Sequence, residues 1–454
     1  MEKPINPGIF KAYDIRGVYP TELNEEIAYK IGQSFANYAK SESIIVGRDT
    51  RLSSPSLAEN LIKGIADQGV NVIDIGLCST SCFYYTVGES EYSGIMVTAS
   101  HASKENNGFK MVFGKNVPLT KEQILELKKI VMGEQSPISG TKGSITEEDP
   151  TNNYVQVVKN SIKEKIKPLK VVMDAGNGMA GLYIEKVFSG LGINIVPIFT
   201  ELDGNFPNHE TNPKLPENRE KLKEKVIAEK ADLGFMFDGD ADRVCVIDRN
   251  GKLLDYSLLM AILAEYRVKN SSKKKVVIET RTSTIVHDWV GKVGGSVMVS
   301  ECWTIPIKLK MQNDPDVIIG GETSGHYVFP ELHEADDGIM SALTFLQAIS
   351  VKEEPIDGII EDFRKKYFVM DETNFEMPNM QKADEVIGRL REKYSKEGAE
   401  ILEVDGLSVI FKDWWFNLRK SQSEPVIRLN FEANKKELYD EKKEEIISEI
   451  KSSI

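Results

Sequence analysis

Three aspartates stand at alternate positions in Asp238-Gly239-Asp240-Ala241-Asp242, directly after the apolar run Leu-Gly-Phe-Met-Phe and directly before Arg243. Carboxylates spaced in this way crowd negative charge, which is costly unless a cation sits among them. Gly239 and Ala241 are small enough for the backbone to turn all three toward one point. Hard oxygen ligands suit Mg²⁺, which also keeps places open for phosphate oxygens. The motif is not an EF-hand, because its sixth position is Arg243 instead of Gly and its twelfth is Arg249 instead of Glu. A solvated acidic turn is the competing reading, and the apolar strand running straight into the turn weighs against it.

Three other segments carry chemistry at the ends of apolar runs, where open α/β sheets gather their functional groups. Val97-Thr98-Ala99-Ser100-His101 offers a serine that can act as a nucleophile when a base or a metal assists it. Taken alone, Ser-His at such a place is ordinary turn chemistry, with His101 a loop hydrogen bonder. Gly320-Gly321-Glu322-Thr323-Ser324-Gly325-His326 combines glycines with groups that suit the hydroxyls of a sugar; the bland alternative is a glycine-rich turn. Arg419-Lys420-Ser421-Gln422-Ser423, continuing to Arg428, sets two guanidiniums around two hydroxyls, a combination that grips phosphate oxygens. A surface charge cluster is the alternative there.

Elements of alternating type must position these loops. Residues 24–40 place Ile27, Ile31, Phe35 and Tyr38 on one helical face, and the run SIIVGRD reads as a buried strand. A second helix has Ser54 as its expected cap, Pro55 in its first turn, a stripe of Leu57, Leu61, Ile62 and Ile65, and Gly69 as its stop. Thr120 and Gln123 form a capping-box pattern ahead of a third helix. NVIDIG, GIMVTAS, KMVFG, KVVMDAGNG, ADLGFMFDGD, VCVIDRNG, KVVIET, GSVMVSE and DVIIGGETSG read as further strands, so helix alternates with strand through three α/β units. The last stretch differs. LSVIFK and PVIRLNFE read as two short strands between charged helices, a smaller α+β domain.

Composition bounds the partners. With 454 residues, 41% of them hydrophobic, the chain has material for several cores and is not disordered. The 57 Lys and Arg against 70 Asp and Glu leave a net charge of −13, which disfavours general nucleic-acid binding but allows a local cationic cleft for a small anion. No apolar run approaches the roughly 20 residues that span a bilayer, and the first residues do not read as a signal peptide. Cys78, Cys82, Cys245 and Cys302 make no zinc or Cys-x-x-Cys pattern and fit a reducing, cytoplasmic setting.

Five segments occur in order: Phe10–Gly17 (FKAYDIRG), Thr98–His101 with Asn107–Lys110, Asp238–Arg243, Gly321–His326 and Arg419–Arg428. Together they resemble the α-D-phosphohexomutases of the phosphomannomutase/phosphoglucomutase group, nearly end to end. The resemblance implies an α/β protein of four domains around a central cleft: 1–150 with the serine loop, 151–252 with the metal loop, 253–368 with the sugar loop, and a C-terminal α+β phosphate-binding domain at 369–454. It implies that Ser100 carries a phosphoryl group and shares Mg²⁺ with Asp238, Asp240 and Asp242. Catalytic roles then fall to Ser100, His101, Arg16, Lys110 and Arg243. Glu322, Ser324 and His326 would hold sugar hydroxyls, and Arg419, Ser421, Gln422, Ser423 and Arg428 the non-reacting phosphate. The expected reaction interconverts hexose 6-phosphate and hexose 1-phosphate, of mannose or glucose, through a hexose 1,6-bisphosphate, in a cytoplasmic monomer or homodimer.

Two departures bear on this expectation. After His101 the group commonly continues with Asn-Pro, where this chain has Ala102-Ser103-Lys104-Glu105-Asn106. Where it often has Gly-His before an Ile-Lys pair, this chain has Cys302-Trp303-Thr304 ahead of Ile307-Lys308. Phosphoglucosamine mutase, a Mg²⁺-dependent sugar phosphatase using an aspartate nucleophile, and a non-catalytic phosphosugar binder are the competing readings.

Overall fold

The computed structural model describes residues 5–133, 140–421 and 424–452. The chain forms two compact units. One comprises residues 1–254, 311–313 and 324–351, the other residues 255–310, 314–323 and 352–454.

In the first unit, a mixed sheet runs in the order Ile15–Val18, Asn106–Phe113, Ser93–Val97, Ser43–Arg48, Asn71–Leu77 and Ile145–Glu147. Ser93–Val97 is parallel to Ser43–Arg48 and antiparallel to Asn106–Phe113, so it sits at the centre. All five of its residues are buried, which is why it reads as a continuous apolar run and not an alternating one. Ile44, Val46, Ile95, Val97 and Phe109 pack against Ile27, Ile31 and Phe35 of helix Glu25–Ala39 and Leu57, Leu61 and Ile65 of helix Ser54–Ala66. Asn24 caps the first of these helices, and the Thr120–Gln123 capping box opens helix Lys121–Met132 as its sequence indicates. The cap expected of Ser54 is not there. Ser53 holds the N-cap position without a side-chain cap bond, and Ser54 Oγ donates instead to Asp49.

A second sheet of this unit runs in the order Val244–Asp248, Leu233–Phe237, Lys170–Asp174 and Asn194–Ile198. Leu233–Phe237 pairs parallel with Lys170–Asp174 but antiparallel with Val244–Asp248, so residues 238–243 form the turn of a buried hairpin. Helix Gly338–Ser350 is buried along its whole length, and Phe345 meets Phe235 edge-on at 5.9 Å between ring centres. Its first residue, Gly338, donates its N–H to Ala241 O at 3.0 Å, which docks the helix start on the hairpin turn.

The second unit holds a parallel group, Ser296–Ser300, Lys275–Glu279 and Val317–Gly321. It also holds an antiparallel sheet in the order Phe368–Glu376, Val426–Ala433, Trp414–Lys420, Leu407–Ile410 and Glu400–Leu402. Leu390 and Tyr394 of helix Met380–Lys396 pack on Val409, Phe416, Leu418 and Leu429. The C-terminal α+β part therefore has five strands where two were legible. Among the described residues, no helix is long and apolar enough to cross a membrane. All four cysteines are free and buried.

Helices Glu25–Ala39 and Ser54–Ala66 touch at two glycines. A Cβ on Gly32 would lie 2.3 Å from Leu61 O, and one on Gly64 would lie 2.2 Å from Tyr29 O. Both obstacles are helix backbone, which cannot step aside as a side-chain tip can. Gly32→Ala should therefore destabilise the first unit by about 2 kcal/mol despite alanine's better helix propensity. A lower urea midpoint at unchanged slope would show it; a raised midpoint would refute the close-packing argument.

Candidate active site

Ser100 follows the central strand Ser93–Val97 in a left-handed backbone conformation, φ +51°. That conformation is rare for a residue with a Cβ and is held only where the surroundings impose it. Here Ser100 N donates to Thr98 Oγ1 at 2.9 Å, and the side chain is turned toward the hairpin at 238–243. Ser100 Oγ donates to Asp238 Oδ2 at 3.0 Å. Close approach of the two loops needs Gly239, since a Cβ there would lie 2.7 Å from Ser100 O. Ala241, φ +65°, supplies the second left-handed turn that lets the aspartates on either side converge. Asp238, Asp240 and Asp242 are all buried, and one oxygen from each lies within 4.8 Å of the others.

The electrostatics of this triad ask for a cation. Burial and the neighbouring charges of Asp242 and Asp240 push the Asp238 carboxyl well above the usual carboxylate range. Asp240 Oδ1 is buried and makes no hydrogen bond, although Asp240 Oδ2 accepts from Thr80 Oγ1 at 2.6 Å and Lys110 Nζ at 2.7 Å. Lys110 Nζ also reaches Asp242 Oδ2 at 2.6 Å, so a single ammonium bridges two of the carboxylates. Burial works against its charge, but Asp240 and Asp242 outweigh that and hold it well above the ordinary lysine value. An all-oxygen donor set with an unsatisfied buried lone pair fits a divalent metal ion.

The other residues singled out for catalysis gather at the same place. His101 Nδ1 lies 3.4 Å from Ser100 Oγ. Burial, then the positive charges of Arg243 and Arg16, hold its pKa well below the ordinary histidine value, so the imidazole is neutral. Arg16 is fixed by Asp14 at 2.7 Å. Its buried Nε carries no hydrogen bond. Arg243 N donates to Asp238 Oδ1 at 3.1 Å, and its Nε donates to His326 Nε2 at 3.0 Å. His326 Nδ1 lies 2.8 Å from Ser324 Oγ, and its Nε2 also lies 3.3 Å from Asp242 Oδ1.

The remaining candidates belong to the second unit. Glu322 is buried, and Ser421 is buried at the end of strand Trp414–Lys420. Gln422 and Ser423 lie outside the described residues. Arg419 and Arg428 are direct cross-strand partners, an unfavourable pairing of like charges unless an anion accompanies them. Glu372 supplies it. Its Oε2 accepts from Arg419 at 2.9 Å and Asn430 at 3.3 Å, and its Oε1 lies 3.8 Å from Arg428. A register shift between Met370 and Thr373 in strand Phe368–Glu376 puts Glu372 in an irregularity of the ladder, where such residues are re-aimed. The Nε atoms of Arg419 and Arg428 are buried without partners.

Glu372 escaped the sequence reading, and so did Arg281 and Glu279. Arg281 follows strand Lys275–Glu279, and its NH1 lies 3.5 Å from Glu372 Oε2. Glu279 anchors it, accepting from Arg281 Nε at 2.9 Å and NH2 at 2.6 Å and from Thr323 N at 2.7 Å. The signal for Arg281 was present, since it follows the carboxyl end of a parallel strand as the other candidates do. Where the resembling group has Gly-His, Trp303 is 57% exposed with φ +89°. Cys302, just before it, donates its N–H to Asp405 at 3.1 Å.

A buried acidic triad beside a serine in one unit, and an arginine cluster in the other, are groups of the kind that phosphoryl-transfer enzymes use. The comparisons are more specific. Models of the phosphoglucomutase/phosphomannomutase α/β/α domains I, II and III match residues 7–137, 152–251 and 256–367, and that of the C-terminal domain matches 372–449. The chain is 34% identical to a phosphoglucomutase of Neisseria gonorrhoeae over 95% of its own length and 94% of that protein. It is also 34% identical to a phosphomannomutase of Escherichia coli, over 93% and 94% of the two chains. A crystal structure of a phosphoglucomutase/phosphomannomutase family protein from Burkholderia thailandensis superposes with a TM-score of 0.88 at 29% identity, covering 99% of this chain and 98% of that one. The chain belongs to the phosphoglucomutase/phosphomannomutase family and is an isomerase of the phosphohexomutase class.

Glu372 stands where it competes with an incoming anion for the arginines. Glu372→Gln keeps an acceptor for Arg419 and Asn430 but removes the competing charge, so inorganic phosphate should bind several-fold more tightly by calorimetry. Weaker binding would mean that the carboxylate instead holds the arginines ready for the ligand.

Proposed function

We propose that the chain interconverts the 6-phosphate and 1-phosphate of a hexose, glucose or mannose, with Ser100 as the residue that lends and reclaims the phosphoryl group. The observation that supports this most directly is the 3.0 Å contact between Ser100 Oγ and Asp238, within a loop pair that also brings Lys110, Arg243 and His101 to one point.

In the proposed cycle, the bond between Ser100 Oγ and phosphorus breaks as a sugar hydroxyl oxygen bonds to that phosphorus, giving a hexose 1,6-bisphosphate. The opposite phosphoryl group then passes back to Ser100 Oγ, and the isomerised monophosphate leaves. In each half the attacking hydroxyl loses a proton and the departing oxygen gains one, and His101, neutral and beside Ser100 Oγ, is placed to give that proton to Ser100 Oγ as it departs and to take it from Ser100 Oγ when it attacks. Arg243 and Arg16 supply fixed positive charge toward the oxygens of the group in transfer, with Arg243 steadied by His326. Lys110 neutralises part of the charge on Asp240 and Asp242. Mg²⁺, held by Asp238, Asp240, Asp242 and Ser100, would draw charge off the phosphoryl oxygens as a Lewis acid. Glu322, Ser324 and His326 are assigned to sugar hydroxyls. Arg419, Ser421, Gln422, Ser423 and Arg428 are assigned to the phosphate that does not react, and we add Arg281 to them. The domain division at 1–150, 151–252, 253–368 and 369–454 and a cytoplasmic location belong to the same reading.

Incubation with a hexose 1,6-bisphosphate should place one phosphate on Ser100, found by intact mass and peptide mapping. Ser100→Ala should take up none and lose about 10⁴-fold or more in kcat. Retained isomerisation in that variant, or label on Asp238 with steady release of free phosphate, would replace the mutase cycle with phosphatase chemistry. Reaction of glucosamine phosphate alone would move the substrate to the amino sugar.

A further inference from the structure

Among the described residues, Arg51 is the largest side chain that is wholly shielded from solvent, at 0% exposure, and it lies outside every role described above. All of its hydrogen bonds but those to Asp49 go to main-chain oxygens of the segment that follows Ser100. Arg51 NH2 donates to Ser100 O and Ala102 O, both at 2.7 Å, and NH1 donates to Ser103 O at 2.7 Å and Asn106 O at 3.0 Å. Its Nε donates to Asp49 Oδ2 at 3.0 Å. The same oxygen of Asp49 accepts from Thr98 Oγ1 at 2.7 Å, and Thr98 Oγ1 accepts from Ser100 N at 2.9 Å. The peptide groups on both sides of Ser100 Oγ are thus held by one Asp49–Arg51 pair: the N–H through Thr98, the carbonyl directly. Phe206 packs over the guanidinium at 5.3 Å, closing it from the other side.

From this geometry we infer that Arg51 is a positioning residue for phosphoryl transfer, fixing Ser100 in its left-handed conformation. The inference rests on the assignment of Ser100 as the phosphoryl carrier. A planar fork with five donors can satisfy four carbonyls and a carboxylate at once, whereas an ammonium has three donors radiating from one point. The acceptors are main-chain oxygens, so this hold does not depend on which side chains occupy residues 102–106. That accounts for a serine loop retained in place although its sequence departs from the pattern of the group. Without the fork, Ser100 would relax toward ordinary backbone angles, and its Oγ would leave the position 3.0 Å from Asp238.

Two variants test the inference in the full-length protein: Arg51→Lys, which keeps the charge but not the fork, and Thr98→Val, which keeps the volume but breaks the link from Asp49 to Ser100 N. Single-turnover phosphorylation of the dephosphorylated protein by a hexose 1,6-bisphosphate should slow at least 100-fold in Arg51→Lys and about 10-fold in Thr98→Val. KM for the hexose phosphate should stay within twofold in both, because the arginine cluster that binds the phosphate is untouched. A merely structural role would lower the melting temperature and leave the transfer rate, measured well below it, unchanged. Unchanged rates in both variants, or in Thr98→Val if Arg51→Lys does not fold, would overturn the role of Arg51. Failure of the wild-type protein to take phosphate on Ser100 would instead overturn the serine assignment, and this inference with it.

Discussion

Mutual repulsion among Asp238, Asp240 and Asp242 is the constraint on which the rest of the active site turns. Three carboxylates buried at one hairpin tip would be a severe liability without compensating charge. Here Lys110 bridges two of them, a serine hydroxyl donates to the third, and an unpartnered Asp240 oxygen still faces inward. A phosphoryl group is an anion, and bringing it to such a place requires cations already in position or recruited with it. The fold answers by ending strands of two sheets of one unit at the same point.

The second unit meets the opposite problem. Arg281, Arg419 and Arg428 place positive charge together, and Glu372 moderates it from within. The two chemistries are complementary: one centre short of positive charge, another with positive charge to offer an anion.

Much of the site was legible because its residues sit in contiguous motifs at strand ends. The aspartate spacing announced a turn whose three carboxylates converge, and Ser100-His101 lay at the end of an apolar run, so each could be read without knowing what it faced. Arg51, Glu279 and Glu372 were not legible, because their significance comes from partners distant in sequence, whereas Arg281 was overlooked at a strand end that could have drawn notice. Arg51 is the extreme case. Main-chain oxygens occur at every residue, so nothing in a sequence marks the ones a guanidinium will choose. The missed C-terminal strands have equally physical causes. Trp414–Lys420 is buried on both faces through six of its seven residues and shows no alternation. Phe368–Glu376 lies at the sheet edge with an irregular register, which breaks its pattern.

Helix Gly338–Ser350 carries a consequence for how the enzyme comes into being. It belongs to the same unit as the aspartate hairpin, docks on Ala241, and fills that unit's interior, yet nearly a hundred residues of chain separate it from the hairpin. A ribosome therefore releases the aspartates and the serine long before the segment that completes their support. The nascent chain must carry three converging carboxylates with their scaffold unfinished, so the first unit closes late in synthesis, and a fragment ending near residue 254 would lack part of its own interior.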